Sequence, residues 1–431
     1  MEMLKIYNNP PRREWPALTA RCTRQEGEIT ERVAAILSQV RTGGDKALRD
    51  LVARIEGYVP ERFEVSRRQR TEAAKAVPQR LKTALAIAKS NIEAFHRAQL
   101  PPQVDIEVMP GVRCVQRAVA IGRVGLYIPG GNAPLFSTVL MLALPARIAG
   151  CGEVVLCTPA GRGGKIAPEV LFAADLCGVD RIFAVGGAQA VAAMAYGTES
   201  IPHVEKIFGP GNRYVTRAKQ LVSAQAVAVD LPAGPSEVMV LADNSARAEF
   251  VAADLLSQAE HGPDSQTVLL TPSRGLAEQV AREVERQLAA LPRRQTAALA
   301  IENSRIVVLD SPDEMIEMSN AYAPEHLILS VEDPWAVAER ITAAGSVFLG
   351  NYTPESAGDY ASGTNHTLPT GGCARAYSGV NIDSFLRRIT YQELTREGLR
   401  ALAPTVVAMA RAEGLDAHAE AVRIRLEGGV R

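Results

Sequence analysis

No stretch of this chain is long and apolar enough to cross a bilayer as a helix. The most hydrophobic run, Thr138 to Leu144, is broken by Pro145 and Arg147, well short of the roughly 20 residues a spanning helix needs. The N-terminus, Met1-Glu2-Met3-Leu4-Lys5, lacks the apolar core and small-residue cleavage site of a secretory signal, so a cytoplasmic protein is expected. Neither sign of charge is in excess. Forty-seven basic residues face 48 acidic ones, a formal net charge of −1, which gives no electrostatic footing to nucleic acid or an anionic membrane and leaves a small molecule as the expected partner. The six cysteines (Cys22, Cys114, Cys151, Cys157, Cys177, Cys373) show no CxxC spacing, which argues against a disulfide framework. Cys151 and Cys157 flank the apolar run Val154-Val155-Leu156, as packed, reduced thiols would. Also missing is a G-x-G-x-x-G followed about 20 positions later by an acidic residue, the usual dinucleotide fingerprint.

What is present is an ordinary globular composition, 47% hydrophobic and 22% charged, in 431 residues, enough for two or three domains. Residues 26 to 98 carry helical periodicity, with Gly43-Gly44 as a break, and two strands follow near Val104–Val108 and Cys114–Ile121. From Gly125 to Glu237 short β-branched runs alternate with helical stretches, and the alternation repeats from Val238 to Phe348. That rhythm marks parallel sheets covered on both faces. The expected architecture is α/β: two doubly wound Rossmann-like α/β/α domains plus small helical arms. Residues 26–124 are placed with 238–381 in one domain, because their long helices need a sheet to cover. Residues 125–237 form the second, and 1–25 and 382–431 are the arms. The tail from Ser384 to Leu426 reads as two helices linked near Pro404, an arm that packs on something else.

Three strands end in glycine-rich turns that open helices: Tyr127-Ile128-Pro129-Gly130-Gly131-Asn132-Ala133-Pro134, Val185-Gly186-Gly187-Ala188-Gln189 and Phe208-Gly209-Pro210-Gly211-Asn212. Each alone is as consistent with a tight connection as with a phosphate cradle. If the strands are parallel, however, all three lie on one side of one sheet. Tyr127, Gln189 and Asn212 then converge at the carboxyl ends, where nucleotides bind.

Polar chemistry concentrates elsewhere. Gln258 and His261 stand at i and i+3 on one helical face, and Gly262-Pro263 stops that helix with space beyond it for a metal ion. Glu325-His326 opens a strand after Pro324, an adjacent carboxylate and imidazole able to serve as bases. Asp359 lies in the glycine-rich run Glu355 to His366 and is a candidate metal ligand, whereas His366 is read as structural. Glu413 and His418 sit five positions apart near the C-terminus, a spacing that on its own suggests only a solvated helix surface. Mixed nitrogen and oxygen donors suit an open, substrate-binding metal site better than a closed structural one.

Taken in order, Gly125-Leu-Tyr-Ile-Pro-Gly-Gly131, Val185-Gly-Gly-Ala-Gln-Ala190, Phe208-Gly-Pro-Gly-Asn212, Pro232-Ala-Gly-Pro-Ser-Glu237, Gln258-Ala-Glu-His-Gly-Pro-Asp-Ser265, Pro324-Glu-His326 and Ser356 to His366 closely resemble the histidinol dehydrogenase family, from about residue 25 to residue 425. The resemblance implies zinc held by Gln258, His261, Asp359 and His418, the last from the neighbouring subunit of a homodimer. It implies Glu325 and His326 as the catalytic pair and NAD contacts at Tyr127, Gln189 and Asn212. Ser236 and Glu413 match substrate contacts, and the implied reaction is a double NAD-linked oxidation of L-histidinol to L-histidine. Rival readings are oxidation of another small alcohol, a zinc hydrolase needing no nicotinamide, and a nucleotide-binding module without catalysis.

Overall fold

Strands that are apolar on both faces must be covered twice, and the long helices between them do the covering. The computed structural model describes residues 4–21, 27–59, 61–130, 134–161, 164–232 and 234–427; Cys22, Gly131 and Asn132 lie outside them. The described strands are β1 (Lys5–Asn8), β2 (Val104–Met109), β3 (Val112–Ala120), β4 (Arg123–Tyr127), β5 (Glu153–Thr158), β6 (Arg181–Ala184), β7 (Lys206–Phe208), β8 (Ala228–Val229), β9 (Glu237–Ala242), β10 (Gln266–Thr271), β11 (Arg305–Val308), β12 (His326–Ser330), β13 (Ser346–Leu349) and β14 (Leu386–Leu394). Among the described residues, no helix is long and apolar enough to cross a membrane.

The chain divides into two compact units, Met1–Gln99 with Gly122–Ser384, and Leu100–Ile121 with Phe385–Arg431. The first contains two parallel sheets. One has the order β1-β11-β10-β9-β12-β13 and the other β6-β5-β4-β7-β8. In β9 the period of two is plain: Val238, Val240 and Ala242 join one core with the helices Ala248–Ala259 and Arg274–Leu288, while Met239 and Leu241 join another with Met315, Met318 and Tyr322.

Two features depart from the expected division. The helix Gly27–Glu56, kinked at Gly44 (φ +52), shares its core with Val155, Phe183 and the helices Gly187–Tyr196 and Arg213–Ser223. Residues 27–56 therefore cover the sheet of β4 to β8, not that of β9 to β13. Residues 4–21 are likewise no separate arm, since β1 extends the six-stranded sheet beside β11 and Trp15 and Leu18 are buried against it.

In the second unit β14, β3 and β2 form an antiparallel sheet. The tail thus opens with a strand. Its two helices, Arg396–Ala412 and Asp416–Glu427, are separated at Gly414 (φ +73), and Pro404 lies inside the first. None of the described cysteines is in a disulfide, and Cys151, Cys157 and Cys177 are buried.

Candidate active site

The polar residues of the first sheet meet at the amino ends of its strands. Glu237 is the first residue of β9 and His326 the first of the adjacent β12, with His326 in register with Val238. The Glu237 N–H donates to Glu325 Oε2 at 2.8 Å, and the Glu237 carbonyl oxygen lies 3.2 Å from His326 Nδ1. The backbone of one residue therefore contacts both members of the pair. Nδ1 faces this carbonyl and the Gln258 amide, whereas Nε2 is left without a hydrogen-bond partner. Glu237 is itself anchored by Arg21, through Nε at 2.5 Å and Nη2 at 2.8 Å, and by the Gly371 N–H at 2.9 Å.

The helix Ala248–Ala259 runs back across the sheet and delivers Gln258 and His261 to the same rim at its C-terminal end. Gln258 is fully buried, its Nε2 3.5 Å from Glu325 Oε2 and 3.2 Å from His326 Nδ1. After β13, the helix Glu355–Tyr360 places Glu355 and Asp359 one turn apart on one face. Glu355 Oε1 lies 3.9 Å from His326 Nδ1, and Asp359 Oδ1 lies 3.6 Å from His326 Nε2. His366 bridges onward: its Nδ1 is 2.8 Å from the Asp359 carbonyl, and its Nε2 is 3.1 Å from Thr138 Oγ1 on the helix that follows β4.

This crowd of carboxylates sets the proton affinities. Burial pushes Glu325 up to about 8 against the opposing pull of His326 and the Glu237 N–H. Burial also raises Glu355, again opposed by His326. Desolvation works against charge on His326, but Glu355, Glu325 and Asp359 outweigh it and raise the imidazole to about 10. Asp359 is held below the ordinary carboxylate range although burial opposes this, because His326, His366 and His261 surround it. Three carboxyls crowd one imidazole here, and a cation placed among them would offset the burial that holds Glu325 and Glu355 protonated.

The residues present fit a metal ion. His261, Glu355 and Asp359 each offer a donor atom, all within 4.8 Å of one another. Gln258 Oε1 and Glu355 Oε2 are buried oxygens without a hydrogen-bond partner, as is the His326 Nε2 nitrogen. Buried acceptors of that kind are costly unless something else takes them up. Glu355 had no assigned role from sequence, yet the spacing of Glu355 and Asp359, at i and i+4, was the signal that would have exposed it.

Tyr127, Gln189 and Asn212 lie at the carboxyl ends of the second sheet. The buried Tyr127 hydroxyl accepts the Gly187 N–H at 3.0 Å, and Gln189 Nε2 donates to Glu56 at 2.9 Å. Asn212 caps the helix Arg213–Ser223, its Oδ1 accepting the N–H groups of Tyr214 and Val215. A cavity of about 560 Å³ opens beside them, bordered by Gln189, Asn212 and residues of the helix Gly27–Glu56. Ser236 directly precedes Glu237, and its carbonyl accepts the Gln266 N–H at 3.1 Å. Glu413 and His418 belong to the second unit, where both are exposed.

Comparison with known proteins shows what the chain as a whole is similar to. The histidinol dehydrogenase family model matches residues 19–426. A histidinol dehydrogenase of Bacteroides thetaiotaomicron is 55% identical over 424 residues, covering 98% of this chain and 99% of that protein. One from Shigella sonnei is 52% identical over 424 residues, 96% of this chain and 97% of the relative. The crystal structure of histidinol dehydrogenase from Elizabethkingia anophelis superposes with a TM-score of 0.97 at 48% identity, covering 99% of both chains. With a family match across nearly its whole length and relatives above half identity, this chain belongs to the histidinol dehydrogenase family.

Proposed function

We propose that the chain oxidises L-histidinol twice, through L-histidinal to L-histidine, consuming two NAD⁺ and one water, as a cytoplasmic homodimer with one Zn²⁺ per subunit. The observation that carries this reading is the buried Glu325–His326 pair packed against Gln258 and Asp359 at the amino rim of β9 and β12. Gln258, His261 and Asp359, with His418 of the partner subunit, would hold the metal. An ion held there would supply orientation and charge for an imidazole-bearing substrate. NAD⁺ supplies the hydride acceptor, with Tyr127, Gln189 and Asn212 at its site.

His326 Nε2, in the unprotonated ring, would take the alcohol proton as hydride departs and release it to solvent before the second oxidation. Glu325 then takes a proton from the water that adds to the aldehyde carbon. His326 accepts the hydrate's hydroxyl proton as the second hydride leaves. A carboxyl poised near 8 suits that water step, because a general base works best when its affinity lies near the working pH. Ser236 borders this rim on the substrate side, and Glu413 joins it with His418.

A shared site requires a docking face on the second unit. Val104, Ile106 and Val108 line one face of β2 and are all exposed, and Met409, Leu415 and Ile424 are exposed on or beside the two tail helices. Such an apolar set on one small unit favours self-association.

Appearance of NADH absorbance on mixing the protein with histidinol and NAD⁺, its loss on chelation and its return with Zn²⁺ are the expected results. Turnover of histidinol that survives exhaustive chelation would rule out the metal role, and absence of NADH formation by metal-replete dimer would rule out the reaction.

A further inference from the structure

One guanidinium joins the two chain segments that meet at the Glu325–His326 pair. It belongs to Arg21, at the end of the N-terminal segment that β1 pins beside β11 and that shares a core with Tyr322 through Trp15 and Leu18. The Arg21 side chain lies over the Tyr322 ring, its Cζ 4.0 Å from the ring centroid. From there Nε and Nη2 take the buried Glu237 carboxylate in a two-bond fork at 2.5 and 2.8 Å. Nη2 also donates to the Tyr322 carbonyl at 2.8 Å and, more weakly, to the Ala323 carbonyl at 3.4 Å.

Both attachments lead directly to the pair. On one side, the Glu237 backbone donates to Glu325 Oε2 and faces His326 Nδ1. On the other, Ala323 precedes Pro324-Glu325-His326 and is a fully buried alanine held at φ +52 and ψ +67. A residue with a Cβ is costly in that left-handed conformation and keeps it only where its surroundings impose it. Here the Ala323 N–H is tied to the Ser319 carbonyl at 2.8 Å, and Arg21 holds the carbonyls of the same turn.

We propose that Arg21 is a positioning residue for the acid/base pair: by clamping Glu237 to the Tyr322–Ala323 turn it sets Glu325 Oε2 and His326 Nδ1 at their separation of 3.6 Å. The inference rests on the reading of Glu325 and His326 as that pair. Arg21 acts through its neighbours and not on substrate. Lysine would keep the charge that Glu237 requires, but a single ammonium cannot reproduce the planar fork and hold the Tyr322 carbonyl as well.

Arg21→Lys in the full-length, metal-replete protein is the test, with melting curves to establish that it is folded. Its kcat for NADH formation from histidinol should fall at least about tenfold while KM for histidinol and for NAD⁺ stays within about threefold, because a displaced pair loses rate and leaves binding in place. Hydrogen exchange read by mass spectrometry should show the Glu237 amide exchanging at least about tenfold faster, with the Val240 amide further along β9 unchanged. Arg21→Met, which removes the fork and the charge together, should lose more rate than Arg21→Lys. Wild-type kcat in Arg21→Lys would overturn the assignment, whatever the exchange. So would an unchanged Glu237 amide, or faster exchange along the whole of β9, which would make Arg21 a support of the fold in general. Wild type that forms no NADH from histidinol would strike the reaction reading, and with it the role assigned to Arg21, whereas exchange at Glu237 judges the clamp without turnover.

Discussion

On the proposed mechanism, replacing Glu325 by glutamine should separate the two oxidations. The side chain is buried, and its Oε2 is fixed by the Glu237 N–H at 2.8 Å. Glutamine has the same fork of two heavy atoms, so its carbonyl oxygen can keep that bond while the amide loses the ability to take a proton. Because burial already raises the carboxyl to about 8, a neutral side chain is close to what the fold holds at neutral pH, and the melting temperature should move by only about 3 °C, the equivalent of roughly 1 kcal/mol. The chemical loss is larger. A positioned general base is worth about 10²–10⁴ in rate, or about 3–5 kcal/mol of barrier. That loss should fall on the conversion of histidinal to histidine, where water must be deprotonated, while oxidation of histidinol to histidinal should slow by less than about tenfold because His326 Nε2 is left in place. Single-turnover NADH formation, started from histidinol and separately from histidinal, reads the two steps. Equal slowing of both, or wild-type oxidation of histidinal, would refute the division of labour between the two residues.

Three further perturbations probe the framework. Asp254, raised to about 7 by burial, binds its proton more tightly folded than unfolded, so its stabilising effect is full below about pH 4 and lost as pH rises through about 7; urea melts of chelated wild type should lose on the order of 3 kcal/mol more than Asp254→Asn between pH 4 and 8, and parallel pH profiles would contradict this. Lys219→Met leaves Asp230 buried without the cation that also donates to the Gly209 carbonyl; denaturation should show a loss of about 3–5 kcal/mol that is largely recovered on adding Asp230→Asn, and no recovery would argue against an unpaired charge as the cause. Gly209→Ala should cost at least about 2 kcal/mol, because φ is +122 and the new Cβ would lie 2.1 Å from the Tyr127 carbonyl oxygen; a variant as stable as wild type in thermal melts would show that this turn is not held as described.

The parallel strands and the helix carrying Gln258 and His261 were legible because each is a local pattern: period two within β9, period 3.6 through Phe250 to His261, and a Gly-Pro stop. The partner of the helix Gly27–Glu56 was not. Amphipathic spacing through Val33, Leu37 and Val40 gives that helix an apolar face but no address, and either sheet would bury it. The strand β14 was missed for a related reason. Eight of its nine residues are exposed, so the apolar alternation that marks a strand is diluted by Arg387, Arg388, Gln392 and Glu393. Glu355 could be singled out in the sequence only by its i, i+4 spacing from Asp359; its buried oxygen without a donor is a property of the folded chain.

The two halves of the first unit use opposite ends of their sheets, and the helix dipole explains why. In a parallel α/β layer the carboxyl ends of strands feed helix N-termini, which attract anions, and the amino ends receive helix C-termini, which attract cations. Tyr127, Gln189 and Asn212 stand at carboxyl ends, beside the N-termini of the helices Gly187–Tyr196 and Arg213–Ser223. Gln258 and His261 stand at an amino rim, at the C-terminus of the helix Ala248–Ala259 and against the first residues of β9 and β12. An expectation drawn only from carboxyl ends finds the nucleotide half and overlooks the other. The contact of His366 with Asp359 on one side and Thr138 on the other ties the cationic rim to the helix that leaves β4. That tie fixes the backbone at Asp359, whose carboxylate lies beside His326 Nε2, relative to the helix Phe136–Ala149.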